Sequence, residues 1–213
     1  MTTTTQLGTA DLVGLLLQDH GEAKRLLHAF DQLPVDQRPE AFRHLVKVLV
    51  GHEGAEELVV YPALRECAAG GAAIARDRLA QQEQAERLLA DMERLGVDAP
   101  GFEASFRRLR QAVLDHADTE EHTVFWVLSS NLPHKELQRL AERYVRAKQQ
   151  APTHPHPLSP QTPPSNKVAG PLAGLIDRAR DTASLRNAPR LRRALRTRDA
   201  TELLRRKKGS AHG

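Results

Sequence analysis

Apolar residues recur every three or four positions along most of the first 150 residues of this 213-residue chain, and this spacing most constrains its fold. The spacing is that of helices with one buried face, and the strict alternation typical of strands is scarce. Proline and glycine interrupt the pattern at Pro34, Gly70, Gly71, Pro133 and between residues 96 and 101. The sequence therefore predicts an all-α fold made of long helices joined by short connections.

Four long helices and a shorter fifth one are expected between these breaks. Four rods of similar length pack most simply as an antiparallel up-down four-helix bundle, because each narrow apolar stripe needs two neighbours to cover it. Pro62 is expected to kink the second helix, and the fourth is expected to continue past Trp126. The predicted helices run from about Thr9 to Gln32, Asp36 to Ala68, Ala72 to Leu95, Phe102 to Ser130 and Pro133 to Lys148.

The charge of the chain divides near residue 150. Up to Gln150 there are 18 basic and 23 acidic residues, a net charge of −5, whereas the remainder has 13 and 4, a net charge of +9. Residues 151–171 are rich in proline, which cannot sustain a helix or a central strand. We therefore predict a helical domain over residues 1–150, followed by a proline-rich linker and a basic, partly disordered tail over residues 151–213. Such a tail could make weak contact with nucleic acid or another anion.

The single cysteine, Cys67, excludes an intrachain disulfide framework and any thiolate-rich zinc or iron–sulfur site. No stretch approaches the roughly 20 apolar residues of a membrane span, and the threonine-rich start lacks the features of a secretory signal. A cytoplasmic protein is the expectation.

Ionisable residues interrupt the apolar stripes at positions that should face the core. In the second helix, His52 and Glu56 lie four residues apart on one stripe. His116 and Glu120 repeat this arrangement in the fourth helix, and the first helix places His20 on its stripe. Inward charges cost several kcal/mol unless they have a partner, and a metal ion provides one. Histidine and carboxylate ligands together suit iron, manganese or zinc. The alternative hypothesis is that no metal binds and that the histidines pair with the glutamates in an ordinary core.

The third helix differs, because its stripe carries Gln82 and Glu86 instead of a histidine and a glutamate. Glutamine is a weak neutral ligand. Three alternatives follow for this helix: Gln82 hydrogen-bonds a bound water or ligand, Glu86 coordinates a metal, or the helix contributes only outer contacts.

Three segments resemble the hemerythrin-like HHE cation-binding domain in its actinobacterial form: QDH ending at His20, HEGAEELVVYPAL beginning at His52, and DHADTEEHTVFW. The tail after residue 150 is also similar to that of these relatives. The resemblance implies an up-down four-helix bundle that holds a non-haem di-iron centre with bridging ligands. It also implies a set of metal ligands: His20, His52, Glu56, His116 and Glu120.

Gln82 stands where the family usually has a third-helix histidine. This departure disfavours a reversible oxygen carrier and leaves three alternatives: two bound irons, one bound iron, or the loss of tight metal binding. His122 lies six residues past His116, about 240° around an ideal helix, and is expected to face solvent. Tyr61 is expected to pack in the core unless a bend at Pro62 brings it to the site.

The resemblance implies an iron protein that interacts with dioxygen, peroxide or nitric oxide, in sensing or in oxidative-stress defence. Peroxide removal is one activity that such a centre supports, although the ligands alone do not establish turnover. The alternative is a non-enzymatic metal-binding or stress-response interaction protein whose basic tail docks on an anionic partner.

Overall fold

The computed structural model describes residues 11–151 and 154–155, and this part of the chain is helical without strands. The all-α prediction is confirmed, whereas the predicted linker and basic tail lie outside the described residues apart from their first positions. A 3₁₀ turn, Val35–Gln37, precedes α2, and a π-helical turn, Glu56–Val60, follows it. The α-helices are α1 (Leu12–Phe30), α2 (Arg38–Ala55), α3 (Tyr61–Cys67), α4 (Gly71–Leu95), α5 (Phe102–His122), α6 (Val124–Asn131) and α7 (His134–Gln150).

The helices form a bundle in which α1 contacts α2, α5 and α7, and α4 contacts α3 and α5. Ion pairs between α1 and α5 establish that these two helices are antiparallel, because His20 meets Glu121 whereas Asp31 meets Arg110. The additional helix α7 packs on α1 and α2 and is part of the folded core. No helix among the described residues has the length and apolarity that crossing a bilayer requires.

The helix boundaries follow local signals in the sequence. The side chain of Asp11 caps α1 by accepting a hydrogen bond from the Gly14 amide at 2.9 Å. Gly96 ends α4 with φ of +82°, and Gly101 precedes α5 with φ of +93°. Only glycine adopts such backbone angles at low cost, so the turns fall where the sequence predicts them.

Two apolar clusters occupy opposite ends of the bundle and leave a polar layer between them. One contains Leu12 and Leu16 of α1 together with residues of α3, α6 and α7. The other contains Leu27 and Phe30, later on α1, together with the aromatic residues of α2 and α5. His20 lies between these two pairs on α1, so its side chain enters the layer that separates the clusters. Packing at both ends holds the helices that carry the polar layer.

The second predicted helix is one continuous helical segment over residues 38–67, with the π turn in its middle. Pro62 lacks an amide hydrogen and its ring would clash with a carbonyl one turn earlier. The chain accommodates this proline through the π turn, in which the Tyr61 amide donates to the Glu56 carbonyl five residues back.

The expectation of an uninterrupted fourth helix is wrong at one residue. Thr123 separates α5 from α6 with φ of −115° and ψ of −67°. Its hydroxyl donates to the Thr119 carbonyl oxygen at 2.5 Å, and this side-chain bond competes with regular helical hydrogen bonding. Trp126, on α6, is 66% exposed and faces solvent.

Candidate metal centre

Four buried side chains from three helical segments converge in the polar layer. His20 of α1, His52 of α2, Glu56 of the π turn and Glu120 of α5 each offer one ligand atom, and these atoms all lie within 4.8 Å of one another. Both carboxylates are fully buried, and the two histidines are 4% and 6% exposed. The arrangement matches the dimensions of a site in which several ligands share one cation or a pair of cations.

His116 borders the same group. Its Nε2 atom lies 3.3 Å from Glu120 Oε2, and His20 Nε2 lies 3.5 Å from the same oxygen. The structure therefore places five of the six residues expected as ligands around one point. Glu86 is the exception, because it is half-buried on α4 and lies outside the group of converging ligand atoms. Its position one turn beyond Gln82 takes it along the bundle axis, away from the layer of histidines.

The atoms that face the centre have no hydrogen-bond partner within the described part of the chain. A buried polar atom without a partner costs about 1–3 kcal/mol, so an isolated group of this kind would oppose folding. A cation would satisfy all of them at once, and nitrogen and oxygen donors together suit iron, manganese or zinc. The residues present therefore fit a bound metal. The atoms are His20 Nε2, His52 Nε2, His116 Nε2, Glu56 Oε1 and Glu120 Oε2.

The Nε2 atom of each histidine faces the centre, and its Nδ1 atom contacts a polar group on the side away from the centre. His20 Nδ1 lies 2.9 Å from Glu121 Oε1, which also accepts from Lys24 Nζ at 2.7 Å. His116 Nδ1 lies 3.3 Å from Gln81 Oε1. Because these oxygens can only accept, Nδ1 carries the proton and Nε2 presents its lone pair to the centre. This is the tautomer that a metal ligand requires.

His52 receives the most extensive support, and much of it comes from α7. Its Nδ1 atom lies 2.7 Å from the Tyr144 hydroxyl, which donates to Asp19 Oδ2 at 2.7 Å. Lys148 Nζ donates to the same carboxylate at 2.8 Å. Burial acts to raise the pKa of Asp19, but its contacts with His52, Lys148 and Tyr144 hold it well below its usual range. The ionised Asp19 therefore orients Tyr144, and Tyr144 in turn accepts from His52.

Tyr61 and Gln82 hold the two carboxylates through the oxygens that face away from the histidines. The Tyr61 hydroxyl donates to Glu120 Oε1 at 2.9 Å. Gln82 Nε2 donates to Glu56 Oε2 at 2.8 Å and to the Tyr61 hydroxyl at 2.7 Å. The π turn explains this geometry, because its wider turn brings Tyr61 to the same side as Glu56. Gln82 therefore supports the carboxylates, which is the outer-contact alternative for the third helix.

The local electrostatics favour binding of a cation. Burial lowers the pKa of His52, so its imidazole is neutral at physiological pH and free to coordinate. Burial and the neighbouring Glu120 carboxylate raise the pKa of Glu56 well above its usual range. A bound cation would replace the proton that Glu56 otherwise retains.

Comparison with known proteins agrees with this geometry. Residues 11–128, more than half of the chain, match the Hemerythrin HHE cation binding domain. The chain belongs to this family. HHE domains bind metal cations, so both the resemblance in the sequence and the general metal-binding assignment are confirmed.

Two curated relatives share about the same level of identity with this HHE protein. An uncharacterized hemerythrin-like protein of Schizosaccharomyces pombe is 29% identical over 134 residues, which is 62% of this chain and 66% of that protein. A protein of Nostoc named DNA nickase is 29% identical over 135 residues, 63% of this chain and 38% of that protein. The match spans less than two thirds of the length of either relative.

A solved structure supports the fold of the HHE domain. The crystal structure of a Hemerythrin HHE cation binding domain-containing protein from Mycobacterium kansasii superposes with a TM-score of 0.59 and 23% sequence identity. The similarity covers 66% of this chain and 86% of that chain. At this identity the comparison establishes the shared helical bundle.

Sequence reasoning did not identify several residues that hold the ligands. These supporting residues are remote in the chain from the histidines that they hold. Tyr144 contacts His52 across 92 positions, and Glu121 contacts His20 across 101. Asp19 is adjacent to His20 in the sequence but supports His52 through Tyr144. The buried apolar-stripe position of Tyr144 was the one available signal, since a buried tyrosine hydroxyl needs a polar partner. Tyr61 reaches the site as the bend alternative anticipated, and His122 is 75% exposed as expected.

Proposed function

We propose that this protein binds non-haem iron, as two ions, in the polar layer and interacts there with dioxygen, hydrogen peroxide or nitric oxide. Its role would be sensing or oxidative-stress defence in the cytoplasm. The observation that carries the proposal is the set of unpartnered nitrogen and oxygen atoms that face one another in the bundle core. Three imidazoles with two carboxylates form a donor set suited to iron.

The five converging residues divide into two roles in this proposal. His20, His52 and His116 would hold iron through Nε2, while Glu56 and Glu120 would bridge the ions or neutralise their charge. Bound iron would supply redox chemistry toward the oxidant. Gln82 is a weaker ligand than the histidine usual at this position, so the iron content per chain is the measurement that separates two bound ions from one.

The remaining polar groups would prepare the site for a small oxidant. The Tyr61 hydroxyl lies between the two carboxylates and could provide a hydrogen bond or a proton at its Oη atom. Burial and the Glu120 and Glu56 carboxylates raise the pKa of Tyr61 well above its usual range, so the phenol stays protonated. Phe125 stacks on the His20 ring with their centres 5.1 Å apart and excludes water from that side.

Measurement of iron per chain in protein purified without added metal tests the proposal. The wild-type chain should contain close to two irons, and His52→Ala should lose most of them. His122→Ala is the matched control, because its imidazole is exposed and should leave the iron content unchanged. Glu86→Gln should also retain iron. Equal iron in the His52 and His122 variants would refute this placement of the site, provided that circular dichroism shows both to be folded.

Turnover needs a separate assay. Hydrogen peroxide added to the iron-loaded protein should disappear at a rate that depends on iron content, and the iron-dependent absorption should change as peroxide is added. A protein that holds iron without consuming peroxide would support sensing or storage over peroxide removal. A metal-free protein that stays fully folded and never acquires iron would reject the iron function.

A second candidate function is contact of the basic segment with nucleic acid. It is supported by the net charge of +9 after residue 150 and by the name of the Nostoc relative, DNA nickase. Binding of a short DNA duplex should weaken as salt is raised, because phosphate contacts release counterions. Replacing the basic run with glutamine should reduce that salt dependence. Absence of binding at low salt would exclude this candidate; the run is Arg205, Arg206, Lys207 and Lys208.

A further inference from the structure

A cavity of about 360 Å³ adjoins the metal-binding layer and is lined by α1, α2, α4 and α5. One water molecule takes up about 30 Å³ of the liquid, so a diatomic gas or hydrogen peroxide would leave most of this space unused. Pockets for organic ligands are typically about 300–1,000 Å³. The size of the cavity therefore requires an explanation beyond access for a small oxidant.

The cavity extends along the bundle from the histidines toward the other end of α5. His116 and Arg108 both line it, and eight helical residues separate them, which corresponds to about 12 Å. The antiparallel helix α4 follows the same path, since Gln81 meets His116 whereas Leu88 lies seven residues further on. The lining residues Gln81 and Arg108 are exposed, so the cavity opens to solvent between α4 and α5.

The walls between these two ends are mostly apolar and come from all four helices. Gln82 and Gln84 of α4 are polar side chains among them, and the amide nitrogen of Gln82 donates to Glu56 and to Tyr61. A hydrocarbon body would fill this part of the cavity favourably, and each buried methylene would tighten binding about fourfold. The apolar wall residues include Ala23, Leu49, Ala85, Ala112 and Val113.

The two ends of the cavity differ in charge. Arg108 is a cation with no ion pair among the residues that the structure describes, and it lies at the end remote from the histidines. The other basic side chain of the lining, Lys24, is paired with Glu121. The acidic lining residues, Glu53 and Asp115, flank the histidine end. An anionic group on a ligand is therefore favoured at Arg108, whose guanidinium suits bidentate binding of a carboxylate.

We propose that the cavity binds a medium-chain organic acid, with its carboxylate at Arg108, its hydrocarbon body along the apolar walls and its distal end beside the histidines. This inference rests on the proposed function, because it names an organic acid as a second molecule that reaches the metal centre.

Calorimetric titration of the full-length, iron-loaded protein tests this assignment. Acetate, hexanoate and octanoate are compared, with octylammonium as a ligand of equal length and opposite charge. Octanoate should bind at least tenfold more tightly than acetate, and octylammonium should bind more weakly than octanoate. Equal affinities for acetate and octanoate would overturn the proposal.

Three variants locate the binding site. Arg108→Gln should weaken octanoate binding about tenfold, whereas Arg107→Gln, an exposed neighbour that does not line the cavity, should leave it unchanged. Ala112→Phe should fill the cavity from the exposed side of α5 and weaken octanoate binding without changing the iron content. An equal effect of the Arg107 and Arg108 substitutions would refute the assignment of the carboxylate.

Iron content measured on the same samples separates this proposal from the function on which it rests. Iron-loaded protein that shows neither chain-length nor Arg108 dependence would refute the cavity assignment alone. A protein that never acquires iron could still bind octanoate with an affinity that depends on ligand chain length and on Arg108. That result would refute the iron function and support the cavity assignment.

Discussion

Tyr144→Phe is the substitution that most directly tests how the fold prepares the metal centre. It removes one hydroxyl, which lies 2.7 Å from His52 Nδ1 and 2.7 Å from Asp19 Oδ2, and it keeps the aromatic ring that packs on α1 and α2. Burial, Glu56 and Asp19 raise the pKa of Tyr144, so the wild-type phenol is a proton donor to Asp19. The variant therefore loses a neutral link between an ionised carboxylate and the His52 imidazole, which the proposed function assigns to the metal.

The magnitude follows from what remains near His52 after the substitution. Asp19 Oδ2 lies 3.6 Å from His52 Nδ1, too far for a hydrogen bond, so no other group takes over without movement. Loss of such a supporting contact typically lowers metal affinity about 10–100-fold, equivalent to about 1.4–2.8 kcal/mol. We expect a loss of ferrous-iron affinity in this range, with the helical content unchanged.

Competition with a chelator under anaerobic conditions measures the affinity. Lys148→Met provides one comparison, because Lys148 contacts Asp19 but not the imidazole, and its effect should be smaller. Val145→Ala, on the exposed side of α7, provides the second comparison and should leave the affinity unchanged. If Tyr144→Phe binds iron as tightly as Val145→Ala, then α7 does not prepare the ligand and the reasoning from hydrogen bonds is wrong.

Three further predictions concern metal loading, the supporting network and the surface. Ferrous iron at about 100 times its Kd should stabilise the fold by about 2.7 kcal/mol for each bound ion and raise its Tm by about 5–11 °C per ion, as measured by scanning calorimetry; an unchanged Tm would contradict a buried site. Gln82→Leu removes the donor to Glu56 and Tyr61 and should lower the free energy of unfolding in urea by about 1–3 kcal/mol. Trp126→Ala changes an exposed indole and should alter that free energy by less than about 0.5 kcal/mol; a larger loss would show that Trp126 is packed.

The exposed position of Trp126 and the burial of His52 illustrate what helical periodicity can and cannot predict. Periodicity assigns each residue to a face, so it placed His20, His52 and His116 in the interior without knowledge of the neighbouring helices. Periodicity does not give the height of a residue along the bundle axis, and for this reason it wrongly placed Glu86 among the converging ligand atoms. The glutamate shares a stripe with Gln82, but one helical turn removes it from the layer of converging ligand atoms.

The local backbone also required the structure. The sequence indicates that Pro62 must disturb its helix, but a kink and a π turn relieve the same clash. The π turn was decisive for the site, because it brings Tyr61 between Glu56 and Glu120. The break at Thr123 is similar, since a threonine inside a helix does not by itself interrupt it.

The sequence by itself determined the all-α class, the turns at glycine and the inward direction of most of the converging histidines and glutamates, because these depend on residues within a few positions of one another. The supporting contacts were decided only by tertiary structure. Tyr144 meets His52 across 92 positions, and Glu121 meets His20 across 101. No local pattern encodes such pairs, since they arise when two apolar clusters fix the relative height of helices that are remote in the chain.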